Sequence, residues 1–263
     1  MARLEIVTGA PDITLDAFVP EYDRNVAARG ISEEEFYANR SLPVLWLLHG
    51  AGGHSSDWFR YSQIELFAQE KGIVVACPNA GNGFYVNHVV GTQWDDLITD
   101  KLWKYVHSML PTSDKPEDNT IAGLSMGGYG ALRLGLGHPE RYGRICCMSG
   151  GVAESQEYAA GTCIMSEKWG FEQTFGPRDK VVGGPNDLYR LAKDLKEKAD
   201  SLPPVYMCCG TRDEHEAESN PRFRDYLRSL GYDVTWDEGD YAHEWRFWNI
   251  EVEKLLKWLP DVK

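Results

Sequence analysis

Positive charge is scarce in this 263-residue sequence, which has 27 lysines and arginines against 40 aspartates and glutamates. The formal net charge of -13 at pH 7 would repel nucleic acids and anionic membrane surfaces over most of the protein. The sequence also lacks an apolar run long enough to span a bilayer, and its first residues do not have the pattern of a signal peptide. We therefore predict a cytoplasmic protein whose partners are small molecules, with neither nucleic acid nor membrane among them.

Signatures of bound metals and nucleotides are missing as well. No CxxC pair or spaced set of cysteines and histidines indicates zinc, and no GxGxxG fingerprint follows a predicted strand. We expect neither a metal nor a cofactor. Five of the six cysteines lie in apolar, strand-like runs, which indicates buried free thiols; they are Cys77, Cys146, Cys147, Cys208 and Cys209.

The most informative stretch runs from Asn119 to Ala131 and has Ser125 near its centre. An apolar strand leads into GLSMG (residues 123–127), the GxSxG pattern of a nucleophile elbow, and a helix follows at once. The flanking glycines permit the close backbone approach that a serine at the tip of a strained turn requires. The N–H of Met126 is placed to bind a substrate oxyanion. An ordinary Gly-rich turn is the alternative, but the strand–turn–helix context favours Ser125 as a nucleophile.

Apolar strands and amphipathic helices alternate through most of the sequence. Continuous apolar runs, typical of strands buried on both faces, occur at residues 43–48, 72–77, 119–124, 144–148 and 205–209. Trp94–Leu110 has apolar residues at helical spacing and stops at Pro111. We therefore predict an α/β protein in which helices cover both faces of a mostly parallel central sheet. The simplest organisation is a single domain over residues 1–263.

Two segments depart from this alternation. Arg3–Thr8 and Ile13–Val19 have the pattern of antiparallel strands, joined by a turn at Gly9–Asp12, and would form the edge of the sheet. After the strand that ends near Ser149 the pattern loosens, as it does in segments that cover an active site. We predict a small cap-like insertion there, over about residues 152–202.

A serine nucleophile needs a base, and the base needs a carboxylate that orients it. In the order Ser, Asp, His of the α/β-hydrolases, the acid follows a late strand and the histidine follows the last one. Asp213 and His243 occupy those places. Glu214 is the main alternative acid, and Asp237 or Asp240 could serve only if the last loop folded back. The other histidines precede the serine, lie on or at the end of predicted helices, or share the loop of Asp213: His49, His54, His88, His107, His138 and His215.

The loop His49–Gly53 follows a buried strand and has two interpretations, a phosphate cradle or the second half of an oxyanion hole. It lacks the GxGxxG spacing and the Walker lysine. An oxyanion loop therefore fits better, with the N–H of Ala51 as the donor beside that of Met126. His49 itself is predicted to order the loop rather than to act as a base.

Together these motifs resemble the esterase-D-like "putative esterase" family. The resemblance rests on Leu48–Gly53 with Asp57 and Trp58, Ala122–Ala131, His138–Tyr142, Cys209–Asp213 and His243–Trp248. It implies an α/β-hydrolase fold with Ser125, Asp213 and His243 as the triad and oxyanion donors at Ala51 and Met126. The family includes tributyrin esterases, feruloyl and acetyl-xylan esterases and S-formylglutathione hydrolases.

The predicted function is the hydrolysis of short-chain or aromatic acyl esters, such as the acetyl or feruloyl esters of oligosaccharides, through an acyl-enzyme. Aromatic residues expected around the site would bind sugar rings or a cinnamoyl group; the candidates are Trp58, Tyr85, Trp94, Trp169 and Trp245. A place in the hydrophobic core is the alternative for each of them. S-formylglutathione is the alternative substrate, although no basic cluster suits its carboxylates. The alternative from another class is a non-catalytic binding protein on the same fold. The missing GxGxxG fingerprint argues against a third alternative, a Rossmann-type cofactor protein. The sequence leaves open whether the protein forms a homo-oligomer.

Overall fold

The computed structural model describes residues 2–9, 13–38, 41–163 and 166–262. It contains the strands β1 (Ala2–Thr8), β2 (Ile13–Val19), β3 (Val44–Leu48), β4 (Val74–Pro78), β5 (Asn119–Leu124), β6 (Arg144–Met148), β7 (Val205–Gly210) and β8 (Val234–Gly239). These strands form one sheet in the order β1-β2-β4-β3-β5-β6-β7-β8. Strands β3 to β8 are mutually parallel. Strand β2 runs antiparallel to both of its neighbours, β1 and β4. The predicted α/β-hydrolase architecture is confirmed.

The helices are α1 (Arg24–Ala28), α2 (Glu33–Ala38), α3 (Asp57–Tyr61), α4 (Ile64–Lys71), α5 (Trp94–Asp96), α6 (Trp103–Met109), α7 (Met126–Gly137), α8 (Glu154–Ala160), α9 (Phe171–Phe175), α10 (Leu188–Lys198), α11 (Ser219–Ser229) and α12 (Trp245–Trp258). Helices α3, α4 and α12 cover one face of the sheet, and α6, α7, α10 and α11 cover the other. The helix predicted at Trp94–Leu110 is observed with a π-helical segment, Leu97–Leu102, between α5 and α6. Among the described residues, no helix is both long and apolar enough to cross a membrane.

Successive residues of the central strands contribute to two cores. In β3, Val44, Trp46 and Leu48 belong to the core on the α7 face, and Leu45 and Leu47 belong to the core on the α12 face. All five side chains are buried. A strand covered on both faces has no position for a polar side chain, which is why its sequence is continuously apolar.

The five cysteines predicted to be buried free thiols are found so. The thiols of Cys77, Cys146, Cys147, Cys208 and Cys209 are free and buried on β4, β6 and β7. Burial raises the pKa of each above its usual value. These thiols therefore stay protonated and unreactive at neutral pH.

The two segments that depart from the alternation have different outcomes. Strands β1 and β2 pair from Ala2 with Val19 to Thr8 with Ile13, as predicted, and residues 10–12 of the predicted turn lie outside the described residues. In the stretch predicted as a cap, α8 and α9 come first and α10 packs against α7. Helix α10 thus belongs to the layer that covers the sheet, and a cap role for the part before it stays a prediction.

Helix α7 approaches the sheet closely at its first turn. A Cβ built on Gly127 would lie 2.5 Å from the carbonyl oxygen of Leu48 and 2.7 Å from that of His49, and one built on Gly123 would lie 2.3 Å from the carbonyl oxygen of Gly127. These obstacles are backbone atoms, which cannot move aside. Glycine is therefore required at both positions because only hydrogen fits between β3, β5 and α7.

This close approach predicts the effect of one methyl group. Gly127→Ala should lower the free energy of unfolding by about 3 kcal/mol because the elbow must be pushed away from β3. Gly137→Ala at the other end of α7 is the matched control, since its Cβ would meet only the flexible side chain of Arg133. We expect that variant to be unchanged or slightly more stable. Urea unfolding of both variants checks the prediction, and equal stabilities would contradict it.

Candidate active site

Ser125 connects β5 to α7 in a strained conformation. Its φ of 54° and ψ of -122° are outside the regions that non-glycine residues usually adopt. Its N–H donates to the carbonyl oxygen of Met148 at 3.0 Å, and its own carbonyl oxygen accepts from the N–H of Gly151 at 3.1 Å. The serine is thus held on both sides by the end of β6, at the edge of the sheet where the parallel strands end.

Asp213 and His243 lie at the same edge, after β7 and β8. Nδ1 of His243 is 2.8 Å from Oδ2 of Asp213, and Oδ1 of Asp213 accepts the N–H groups of His215 and Glu216, both at 3.1 Å. Burial acts to raise the pKa of Asp213, but the hydrogen bond and charge of His243 and the two backbone N–H groups outweigh it and lower the pKa. An ionised Asp213 fixes the proton on Nδ1 and leaves Nε2 as the basic nitrogen.

The alternative acids have other partners or lie in solvent. Asp240 pairs with Arg212 and Asp237 with Lys254, each at 2.7 Å, and Glu214 is exposed. The geometry therefore selects Asp213 as the carboxylate of His243.

The imidazole of His243 is supported from below. Its ring lies edge-to-face on Trp248, with 4.9 Å between centroids, and the indole N–H of Trp248 donates to Oγ of Ser149 at 3.3 Å. Within the described residues, the Ser125 hydroxyl and the imidazole are not hydrogen-bonded to each other. In enzymes without substrate this contact is often long, and it tightens when substrate binds.

The backbone N–H groups of Ala51 and Met126 donate to no other described residue, and so both are available to a substrate oxygen. Met126 is the first residue of α7, where the helix dipole favours negative charge. The neighbouring N–H of Gly52 is already taken by Oδ1 of Asn82 at 2.7 Å. An oxyanion hole formed by Ala51 and Met126 stays a prediction.

His49 orders the loop that contains Ala51, as predicted. Its Nε2 accepts the N–H of Ala80 at 3.1 Å, and its Nδ1 lies 2.8 Å from the carbonyl oxygen of Gly50. Burial lowers the pKa of His49, which keeps the ring neutral in this arrangement. With both nitrogens occupied by loop backbone, the ring is not available as a base.

Two of the predicted substrate-binding residues are instead buried in the scaffold. Trp58 and Tyr85 are fully buried, so the prediction that they contact substrate is wrong. The indole N–H of Trp58 donates to the carbonyl oxygen of Leu48 at 3.0 Å. The hydroxyl of Tyr85 donates to the carbonyl oxygen of His49 at 2.9 Å. Both side chains support the backbone where β3 leads into the loop His49–Gly53, and each polar atom has a backbone partner there.

The other three predicted residues are half-buried. Trp94 packs against the core on the α7 face, and the ring of Trp169 lies 4.8 Å below Nζ of Lys168. Trp245, two residues after His243, rests edge-to-face on the buried indoles of Trp58 and Trp248, with centroid distances of 5.0 and 5.5 Å.

One aromatic residue near the site was missed. Tyr61 is 50% exposed, and its ring lies 5.2 Å from that of Trp245. Tyr61 follows Trp58 by three residues on the predicted helix, a spacing that places both on one side of the helix. That spacing could have identified it.

In the part of the chain that the structure describes, no group of three or more His, Cys, Asp or Glu side chains is placed to bind a metal ion.

Comparison with known proteins points to one family. The model of the family described as "Putative esterase" matches residues 33–256. An acetyl esterase of Caldicellulosiruptor saccharolyticus is 28% identical over 233 residues, covering 85% of both chains. Two solved structures from Staphylococcus aureus are each 26% identical and cover 98% of both chains: the fluorophosphonate-binding serine hydrolase FphF with bound substrate (TM-score 0.85) and the S-formylglutathione hydrolase FrmB (TM-score 0.81).

The family model covers most of the chain, and the structure contains the eight-stranded sheet and the serine elbow described above. The chain therefore belongs to the "Putative esterase" family and is a serine hydrolase that acts on carboxylic ester bonds.

Proposed function

We propose that this esterase works through an acyl-enzyme formed on Ser125, with His243 as the base and Asp213 as its partner. The observation that carries the proposal is the 2.8 Å contact between Nδ1 of His243 and Oδ2 of Asp213, at the same edge of the sheet as the strained Ser125. Such a pair activates a serine that would otherwise be a weak nucleophile.

In the first half of the reaction, Nε2 of His243 takes the hydroxyl proton as Oγ of Ser125 attacks the ester carbonyl carbon. The N–H groups of Ala51 and Met126 bind the oxyanion of the tetrahedral intermediate. The imidazolium then gives its proton to the leaving alcohol oxygen, and the acyl group remains on Ser125. In the second half water attacks the acyl-enzyme, His243 again takes and returns a proton, and the carboxylic acid leaves.

For the substrate we propose a short-chain acyl ester of a carbohydrate. The ring of Trp245 stands two residues from the base and next to the exposed Tyr61. Aromatic faces bind the apolar faces of sugar rings. A relative with 28% identity is an acetyl esterase, and the net charge of -13 disfavours an anionic substrate.

The second candidate substrate is S-formylglutathione. It is favoured by the likeness to the hydrolase FrmB, which is 26% identical with a TM-score of 0.81. Both candidates use the same acyl-transfer chemistry and differ in the leaving group, an alcohol or a thiol, and in the acyl group that is transferred.

The triad assignment predicts large losses of activity. Ser125→Ala should lower kcat by about six orders of magnitude, and Asp213→Asn by about four because the wrong imidazole tautomer is then favoured. Hydrolysis of p-nitrophenyl acetate and covalent labelling by a fluorophosphonate measure both variants. Near-normal hydrolysis by Ser125→Ala would exclude Ser125 as the nucleophile. A wild-type protein that is neither labelled nor active would indicate a binding protein.

The substrate assignment predicts a selective effect of Tyr61→Ala. We expect about a tenfold lower kcat/KM for acetylated xylo-oligosaccharide, as for the loss of one aromatic contact, and an unchanged value for p-nitrophenyl acetate. Tyr105→Ala, an exposed tyrosine on α6, is the matched control. Acid release from methyl ferulate, a short triglyceride and S-formylglutathione is measured in parallel. Faster turnover of S-formylglutathione than of the sugar ester would favour the second candidate.

A further inference from the structure

The backbone of Ser125 depends on the loop that follows β6. Met148 and Gly151 form hydrogen bonds with Ser125 and flank a second strained residue, Ser149, whose φ is 44°. Such conformations persist only where the surroundings impose them. The position of the nucleophile therefore depends on what holds residues 149–151.

Asn220 on α11 holds this loop. Its Oδ1 accepts the N–H of Gly150 at 3.1 Å, and its Nδ2 donates to the carbonyl oxygen of Gly150 at 2.8 Å. The side-chain amide thus pairs with both polar groups of one residue, as a neighbouring strand would. Asn220 is fully buried, where an unpaired N–H or C=O would be costly.

Glu216 connects Asn220 to the candidate acid of the triad. Its Oε2 accepts Nδ2 of Asn220 at 3.0 Å and also the hydroxyl of Ser219. Its backbone N–H donates to Oδ1 of Asp213 at 3.1 Å. One residue therefore contacts both the carboxylate that orients His243 and the amide that holds the loop behind Ser125.

We propose that Glu216 is a positioning residue of the esterase reaction, which keeps the loop of Asp213 and the loop behind Ser125 in register through Asn220, and that it acts as a neutral carboxylic acid. The proposal rests on the roles assigned above to Ser125, Asp213 and His243.

The hydrogen bonds of Glu216 reach only one of its carboxyl oxygens. Both donors reach Oε2, and Oε1 receives no hydrogen bond from the described residues, so half of the group lacks the hydrogen bonds that stabilise a charged form. Only 6% of the residue is exposed, and burial, with a further contribution from the Glu154 carboxyl, raises the pKa of Glu216 well above its usual value.

Within the part of the chain that the structure describes, the groups that face Glu216 supply no positive charge to stabilise an ionised form. They are Cys147 on β6, Cys209 on β7, Asp213, Glu154 and Glu157 on α8, and Ser219 and Asn220 on α11. An ionised Glu216 would add a negative charge beside Asp213. Like charges so close repel each other, which favours the neutral form of Glu216.

The test compares Glu216→Gln, Glu216→Ala and a control, Glu218→Gln, whose side chain is exposed and pairs with Arg222. Glutamine keeps an acceptor oxygen and places N–H where the neutral acid has O–H. For p-nitrophenyl acetate we expect kcat of Glu216→Gln within about threefold of wild type and that of Glu216→Ala at least about tenfold lower, with KM little changed. The rate of fluorophosphonate labelling of Ser125 should follow kcat, and Glu218→Gln should match wild type.

The possible results separate the claims. A Glu216→Gln variant that loses as much kcat as Glu216→Ala would overturn the neutral form, and this near-isosteric variant decides the matter even where Glu216→Ala fails to fold. A Glu216→Ala variant that melts earlier but is labelled as fast as wild type would make Glu216 merely structural. If the wild type itself is not labelled at Ser125, the proposed function fails and this proposal fails with it.

The carboxyl groups of Glu154 and Glu216 form an acidic pair, and Glu154 gives an independent test of it. Its Oε2 is inaccessible and has no partner among the described residues, and burial raises its pKa from 4.5 to about 7. The folded protein thus binds this proton more tightly than the unfolded chain. The stabilisation is full below the unfolded pKa and is lost as the pH rises through about 7.

Glu154→Gln, which cannot ionise, should therefore melt close to wild type at pH 4.5 and about 5 °C higher at pH 8. Thermal unfolding at a series of pH values measures the difference, with Glu218→Gln as the control that should show no such trend. If the difference in melting temperature between Glu154→Gln and wild type does not grow with pH, Glu154 is already ionised at acid pH, and the raised pKa assigned to this acidic pair is contradicted.

Discussion

The backbone of Ser125, held at a φ of 54°, is the constraint on which the rest of the structure depends. Helix α7 can begin directly at the serine only because Gly127 lets its first turn touch β3. Ser125 donates a hydrogen bond to Met148 and accepts one from Gly151, and these two bonds fix the elbow to the end of β6. The strain is thus balanced by contacts on three adjacent parallel strands, and the same contacts place the candidate oxyanion donors.

The aromatic residues around this edge act mainly through their polar ends. Trp58 and Tyr85 each donate one hydrogen bond to the backbone at the end of β3, and Trp248 reaches Ser149 while its ring supports His243. Each buries a large apolar surface and fixes one loop. This explains how a loop rich in glycine, His49–Gly53, is held in one conformation.

Two carboxyl groups three residues apart have opposite electrostatic environments. Asp213 accepts two backbone N–H groups and the His243 ring, which lower its pKa, whereas Glu216 meets mainly other acids and has its pKa raised. The same short loop thus contains one carboxyl that favours ionisation and one that favours its neutral form. Environment rather than residue type decides the charge of each.

The sequence by itself determined the order of strands and helices, because buried parallel strands are continuously apolar. It also identified the serine elbow, which is a local motif, and the pair Asp213 and His243, which follows from the order Ser, Asp, His along the chain. It did not show which aromatic side chains face solvent, nor the link from Glu216 through Asn220 to Gly150. The contact that completes this link joins Asn220 to Gly150, which are 70 positions apart in the sequence. A periodic pattern states which face of an element is buried. Only the packing of distant elements against each other decides what lies on that face, and so the tertiary structure alone assigned Trp58 and Tyr85 to the scaffold and Tyr61 to the surface.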